Sequence, residues 1–98
     1  MEHMIEETPE GLSLTVQVRF PLGLHARPAA RLAREAQQFE ADVHLIHEGA
    51  RADAKSILDI LSLAAAQGDT LRVVAKGRDA REALACMADI FSGDEKSC

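Results

Sequence analysis

The stretch Gly23-Leu24-His25-Ala26-Arg27-Pro28-Ala29-Ala30 marks a change of period in this 98-residue chain. Before it, Leu12, Leu14, Val16, Val18 and Phe20 alternate with other residues, the pattern of a strand with one buried face. After it, Ala29, Leu32, Ala33, Ala36 and Phe39 recur at spacings of three and four, the pattern of an amphipathic helix. Pro28 suits a first helical turn, where its missing N–H would have no partner. The residues before it are then turn and cap positions, and His25 stands at the mouth of a helix. Unpaired backbone N–H groups and the positive end of the helix dipole make such a place receptive to phosphate. Arg27 adds a fork of donors that matches phosphate oxygens. A neutral imidazole is a nucleophile at neutral pH. A lone histidine at a helix start is ordinarily a cap or a surface residue. Here nucleophile, anion cradle and guanidinium fall within a few residues, and the chemistry they suggest is a phosphoryl group carried on His25.

Working outward, the first strand covers about residues 12–20 and the first helix about 27–38. Residues 41–46 alternate as a second strand with Val43 and Leu45 inward, Glu48-Gly49 signals a turn, and residues 50–53 complete a hairpin. Ser56 and Asp59 have the spacing of a capped helix start, which predicts a short helix over 56–64. Residues 70–76 form a fourth strand with Leu71, Val73 and Ala75 on one face. Asp79 and Glu82 have capping-box spacing for a last helix over 80–91, with Ala83, Leu84, Met87, Ile90 and Phe91 as its apolar stripe. The order βαββαβα, with alternating strands, calls for an antiparallel sheet covered on one side. The expected fold is an α+β open-faced sandwich of four strands, with three helices on one face. Residues 1–10 read as an acidic extension, 11–92 as the domain and 93–98 as a tail.

Charge is unevenly placed. The four glutamates of residues 1–10 and the net acidic tail account for the whole formal charge of −5, so residues 11–92 are formally neutral. A neutral body lacks the net basic face that nonspecific nucleic-acid binding requires. Arg27, Arg31 and Arg34 recur on one side of the first helix and would suit an acidic protein partner. No apolar run is long enough for a membrane span. The segment Met1 to Glu7 lacks the regions of a signal peptide, so a cytoplasmic location is expected. Cys86 falls in a helix and Cys98 ends the chain. They make no metal spacing and no disulfide framework, so a buried thiol and a free tail residue are expected. His44 and His47 are separated by an odd number and point to opposite faces of a strand, so neither is assigned a role. His3 is expected in a mobile tail.

Gly23-Leu24-His25-Ala26-Arg27-Pro28-Ala29 resembles the active-site signature of HPr, the histidine phosphocarrier of the bacterial phosphoenolpyruvate-dependent phosphotransferase system. Ala54-Lys55-Ser56-Ile57-Leu58, followed by Leu61-Ser62-Leu63-Ala64 and Gln67-Gly68, resembles a second HPr motif. The resemblance runs from about Leu12 to Phe91. It implies that Enzyme I phosphorylates Nδ1 of His25 and that His25 passes the group to EIIA domains. It implies a docking patch of Ile57, Leu58 and Leu61, and a regulatory phosphorylation at Ser56 by an HPr kinase where the cell has one. A plain helix cap is the alternative for Ser56, and core packing the alternative for the apolar residues. No cofactor, no metal, no nucleic acid, no membrane insertion and a monomeric state are expected. The sequence departs from the family in the loop before Gly23, where Phe20, Pro21 and Leu22 replace a common Asn, and at Asp59, which adds negative charge to the docking face. A regulatory HPr-like binding module, including a nitrogen-system carrier, is the alternative function. A hydrolase using His25 as base lacks a partner nucleophile nearby.

Overall fold

A computed structural model describes residues 4–93 and 98. The elements are β1 (Glu6–Thr8), β2 (Gly11–Gln17), α1 (Ala26–Ala36), β3 (Asp42–His47), β4 (Ala50–Asp53), α2 (Ile57–Ser62), β5 (Thr70–Lys76) and α3 (Ala80–Ser92). The strands form one sheet in the order β1-β2-β5-β3-β4, antiparallel at every pairing. Register is set by which residues must face inward. Leu14 pairs with Val73 and Val73 with Leu45, so one buried row crosses the three central strands. α3 packs on β2 and β5, and α1 lies against α2 and α3. Leu32, Ile60, Leu84, Met87 and Phe91 fill the space between sheet and helices and are fully buried. Burying a side chain of that size contributes roughly 1.5–3 kcal/mol. Phe20 lies over Phe91 with ring centroids 5.8 Å apart and so fastens the start of the His25 loop to the core.

The open-faced sandwich and its three helices are as the sequence predicts, but the sheet has five strands rather than four. Glu6 to Thr8, in the stretch read as an extension, pair with Ser13 to Gly11. Thr8 Oγ1 donates to the Gly11 carbonyl at 2.9 Å and closes the turn through Pro9 and Glu10. An edge strand needs only backbone partners, which is why two exposed glutamates serve in it. Arg51 Nη1 on β4 donates to Glu10 Oε2 at 3.2 Å. The β3–β4 turn is the one its sequence signals: Glu48 and Gly49 both have positive φ, 50° and 84°, as a two-residue hairpin loop between twisted strands requires. His3 and residues 94–97 of the expected tail lie outside the described residues. Among the described residues, no helix is long and apolar enough to cross a membrane.

Two further expectations are corrected. Cys86 and Cys98 are joined, with Cα atoms 4.7 Å apart, so neither is a free thiol. Spacing alone did not bring the chain's last residue onto α3. Asp79 does not close a capping box: its side chain makes no cap bond to α3. Instead Oδ2 accepts from Glu40 N at 2.9 Å and Oδ1 from Ala41 N at 2.8 Å, tying the start of α3 to the entry of β3. The Glu40 amide, with the Ala41 amide and the Arg78 charge, holds the carboxyl below its ordinary value of 3.8. A carboxyl depressed in the folded state stabilises above its unfolded value and loses that contribution as the pH falls through the folded one. We therefore expect Asp79→Ala to melt below wild type at pH 7, with the gap in melting temperature closing as the pH is taken down past 3.8. A gap that stays constant with pH would assign the loss to packing.

Candidate functional site

The site is built at the junction of β2 and α1. Val18 leaves the sheet still buried, Phe20 anchors the chain, and Pro21 and Leu22 cross the surface. Gly23 turns back with φ 72°, and Leu24 N donates to the Ala65 carbonyl at 2.9 Å. His25 is the N-cap of α1, extended at φ −92° and ψ −172°. Its own N–H donates to Gly23 O at 2.9 Å and its carbonyl accepts from Ala29 N at 3.0 Å. Its ring makes no capping bond, so the backbone of His25 starts the helix while the imidazole, half-buried, is left for other chemistry. Pro28 is the third helical residue and has no N–H. The two donors at the helix mouth are therefore the amides of Ala26 and Arg27, exposed residues that make no intramolecular bond from those amides among the described residues. An incoming anion meets two backbone donors, the dipole of an eleven-residue helix and the exposed Arg27 side chain.

Of the other basic residues, Arg34 is exposed beside Glu35, Nε to Oε2 3.8 Å, and Arg31 is half-buried. They follow Arg27 along α1 at helical spacing. Ser56 is the N-cap of α2, its Oγ accepting from Asp59 N at 3.2 Å. Asp59 does not return the bond. Its Oδ2 accepts from Asp53 N at 3.2 Å, so the capping box is half made. Lys55 is engaged as well, Nζ donating to Phe39 O at 2.9 Å. On α2, Ile60 and, beyond its end, Leu63 are core, while Ile57 is 42% and Leu58 79% exposed and Leu61 is half-buried against the core. Leu22, 79% exposed, lies two residues before Leu24 on the same loop. Nothing in its local sequence marked it, because a leucine between Pro21 and Gly23 has no periodicity to read.

His44 and His47 do face opposite ways, but His47 is not idle. It is buried, with Nδ1 3.2 Å from Leu63 O and Nε2 3.1 Å from Asp69 Oδ2. Among the described residues Glu35, Cys86 and Cys98 are close enough to share a metal ion, but both sulfurs are taken up in the disulfide.

Fold and site together define a class: a small one-sided α+β sandwich that presents a histidine at the mouth of its first helix. The family model for the phosphotransferase-system HPr component phosphorylation site matches residues 12–92. The HPr-like protein Crh of Bacillus subtilis is 44% identical over 73 residues, 74% of this chain and 86% of that one. The crystal structure of a phosphocarrier protein HPr from Bacillus anthracis superposes with a TM-score of 0.77 at 40% identity, over 81% of this chain and 94% of that one. A structure of Bacillus subtilis Crh, described as a catabolite repression protein with a swapping domain in a dimer, gives a TM-score of 0.70 at 36% identity, over 93% and 97%. The chain belongs to the HPr family, the phosphocarriers of the phosphotransferase system. The Crh dimer counts against the expectation of a monomer.

Proposed function

We propose that the protein is a cytoplasmic shuttle that accepts a phosphoryl group on His25 from phosphorylated Enzyme I and passes it to an EIIA domain. The observation that carries this reading is that His25 caps α1 with its backbone alone, its ring making no cap bond among the described residues, at the helix mouth that Ala26 and Arg27 open. In each transfer a ring nitrogen of His25, Nδ1 by the family resemblance, forms the new P–N bond as the donor's P–N bond breaks. The reverse exchange regenerates a free imidazole on His25. The Ala26 and Arg27 amides and the guanidinium stabilise charge on the phosphoryl oxygens, mostly by position and electrostatics. Ile57, Leu58 and Leu61, with Arg31 and Arg34, form the docking face, apolar in the middle and charged at the margin. Incubation with phosphoenolpyruvate and Enzyme I followed by intact-mass measurement tests the reading. A regulatory module is the second reading, favoured by the identity with Crh. It expects docking without any transfer from Enzyme I.

Arg27 separates transfer from folding. Its side chain is exposed, so Arg27→Ala should change stability by no more than about 0.5 kcal/mol. Transfer should slow by about a hundredfold to a thousandfold, the range for losing one donor to developing charge. A variant that transfers at the wild-type rate removes Arg27 from the mechanism.

Ser56 carries a regulatory proposal. A phosphate there would sit beside exposed Ile57 and Leu58 with about −1.5 to −2 charges and oppose an acidic partner drawn by Arg27, Arg31 and Arg34. Ser56→Ala should lose the cap bond to Asp59 N, about 1 kcal/mol, and transfer normally. Ser56→Asp should stay folded and accept phosphate more slowly. Equal transfer rates for all three proteins would leave Ser56 as a cap and nothing more.

A further inference from the structure

We propose that His47 and Asp69 are positioning residues for His25, acting through the chain segment that joins α2 to β5. The functional half of this proposal rests on the phosphocarrier reading.

His47 and Ser13 are the buried polar residues of the described chain. The His47 ring faces two groups that can only accept: Leu63 O at 3.2 Å from Nδ1 and the Asp69 carboxylate at 3.1 Å from Nε2. A ring with a proton on each nitrogen fills both bonds, and a neutral ring can donate to only one. Glu48 Oε2, 3.9 Å from Nε2, is the other charged group against it. The two partners are the two ends of one segment. Leu63 follows α2 and Asp69 precedes β5, so His47 on β3 closes residues 63–69 into a loop held from below. The same Asp69 Oδ2 accepts from Ala66 N at 2.9 Å, and the Asp69 carbonyl accepts from Val18 N at 2.8 Å. Within this loop Ala64 has φ 50°, left-handed backbone that an alanine adopts only when its surroundings hold it there.

The loop is the seat of the catalytic turn. Its Ala65 carbonyl accepts from Leu24 N, the residue before His25, at 2.9 Å. Gly23 lies so close to Ala65 O and Ala66 Cα that a Cβ would meet them at 2.8 and 3.2 Å. The His47–Asp69 pair therefore holds a strained segment in the form that presents the Ala65 carbonyl to Leu24. Without the pair, Ala64 can relax toward ordinary φ, the carbonyl moves, and His25 loses its fixed approach to the donor.

The test uses His47→Gln and Asp69→Asn in the full chain, each alone and combined with Ala64→Gly. Amide hydrogen exchange is followed at Leu24 and, as a core reference, at Val73. Transfer from phosphorylated Enzyme I is resolved into KM and kcat. The expected result is that Leu24 exchanges at least about tenfold faster while Val73 does not change. At the same time kcat should fall about tenfold with KM for Enzyme I little altered, because the docking residues are untouched. Ala64→Gly should restore most of both losses, since glycine has no strain to release. A purely stabilising pair would expose Leu24 and Val73 together and gain no rescue from glycine, and that result overturns the proposal, as does an unchanged Leu24 in both variants. If the wild-type protein takes no phosphate from Enzyme I, the carrier reading fails, and the Leu24 exchange with its glycine rescue still decides the positioning.

Discussion

Incubated with phosphoenolpyruvate and Enzyme I, the wild-type protein is expected to gain one acid-labile, base-stable phosphoryl group and the His25→Ala variant none. The expectation follows from how little else in the vicinity could serve. The nearby amides donate but cannot be phosphorylated, and Arg27, in the role proposed for it, would hold the phosphate without accepting it. Alanine at position 25 leaves the backbone of the cap in place, since the helix is started by the His25 carbonyl and not by its ring. The variant should therefore melt close to wild type, within about 0.5 kcal/mol, so a lost signal will not be a lost fold. Label that survives in the variant would move the chemistry to another residue and remove the proposed mechanism.

The second large effect is expected at Gly23. At φ 72° any L-residue with a side chain is strained, by roughly 1–2 kcal/mol. A Cβ there would also meet backbone atoms of the facing loop, Ala65 O at 2.8 Å and Ala66 Cα at 3.2 Å. Backbone cannot swing aside as a side-chain end can, so the Leu24–Ala65 bond should lengthen or break. Gly23→Ala should thus destabilise by about 2–3 kcal/mol in urea unfolding and slow transfer as well. Gly49 is the natural control. Its φ is 84° but an added Cβ meets nothing within 4 Å, so Gly49→Ala should show only the strain, about 1–2 kcal/mol. Equal losses for the two variants would mean that the contact with the Ala65 loop contributes nothing.

His25 and Gly23 share one motif of residues 23–30, and what marks that motif is local: a strand period that stops, a proline and then a helical period. Local signals also predicted β4 and β5 at their observed limits, because the Glu48-Gly49 turn signal precedes β4 and, in β5, Leu71, Val73 and Ala75 alternate up to the turn residues Gly77-Arg78-Asp79. What was not legible was decided by partners distant in the chain. Asp79 has the spacing to cap its own helix, yet the Glu40 and Ala41 amides, brought near by the sheet, take its carboxylate. His47 has its partners 16 and 22 residues away, and on a strand alone it offers no hint of them. Ala64 sits in a run of three alanines that carries no turn signal, although its backbone is left-handed. β1 is acidic and short, and pairs through backbone that has no side-chain signature. The disulfide needed the terminal residue placed on α3, which no spacing rule supplies.

The position of β5 has a consequence for how the protein is made. It is the last strand in the chain and lies in the middle of the sheet, with β2 on one side and β3 on the other. Leu12 waits for Ala75, and Val43 waits for the same residue. While a ribosome is still delivering residues 70–76, the two halves of the sheet have no common neighbour and α3 has not been synthesised, so apolar faces stay uncovered. Folding then has to close its longest loops at the end, which makes it slow and nearly all-or-none. Chains stalled before Thr70 would be sticky pairs of hairpins rather than partial carriers, and quality control would meet them as such.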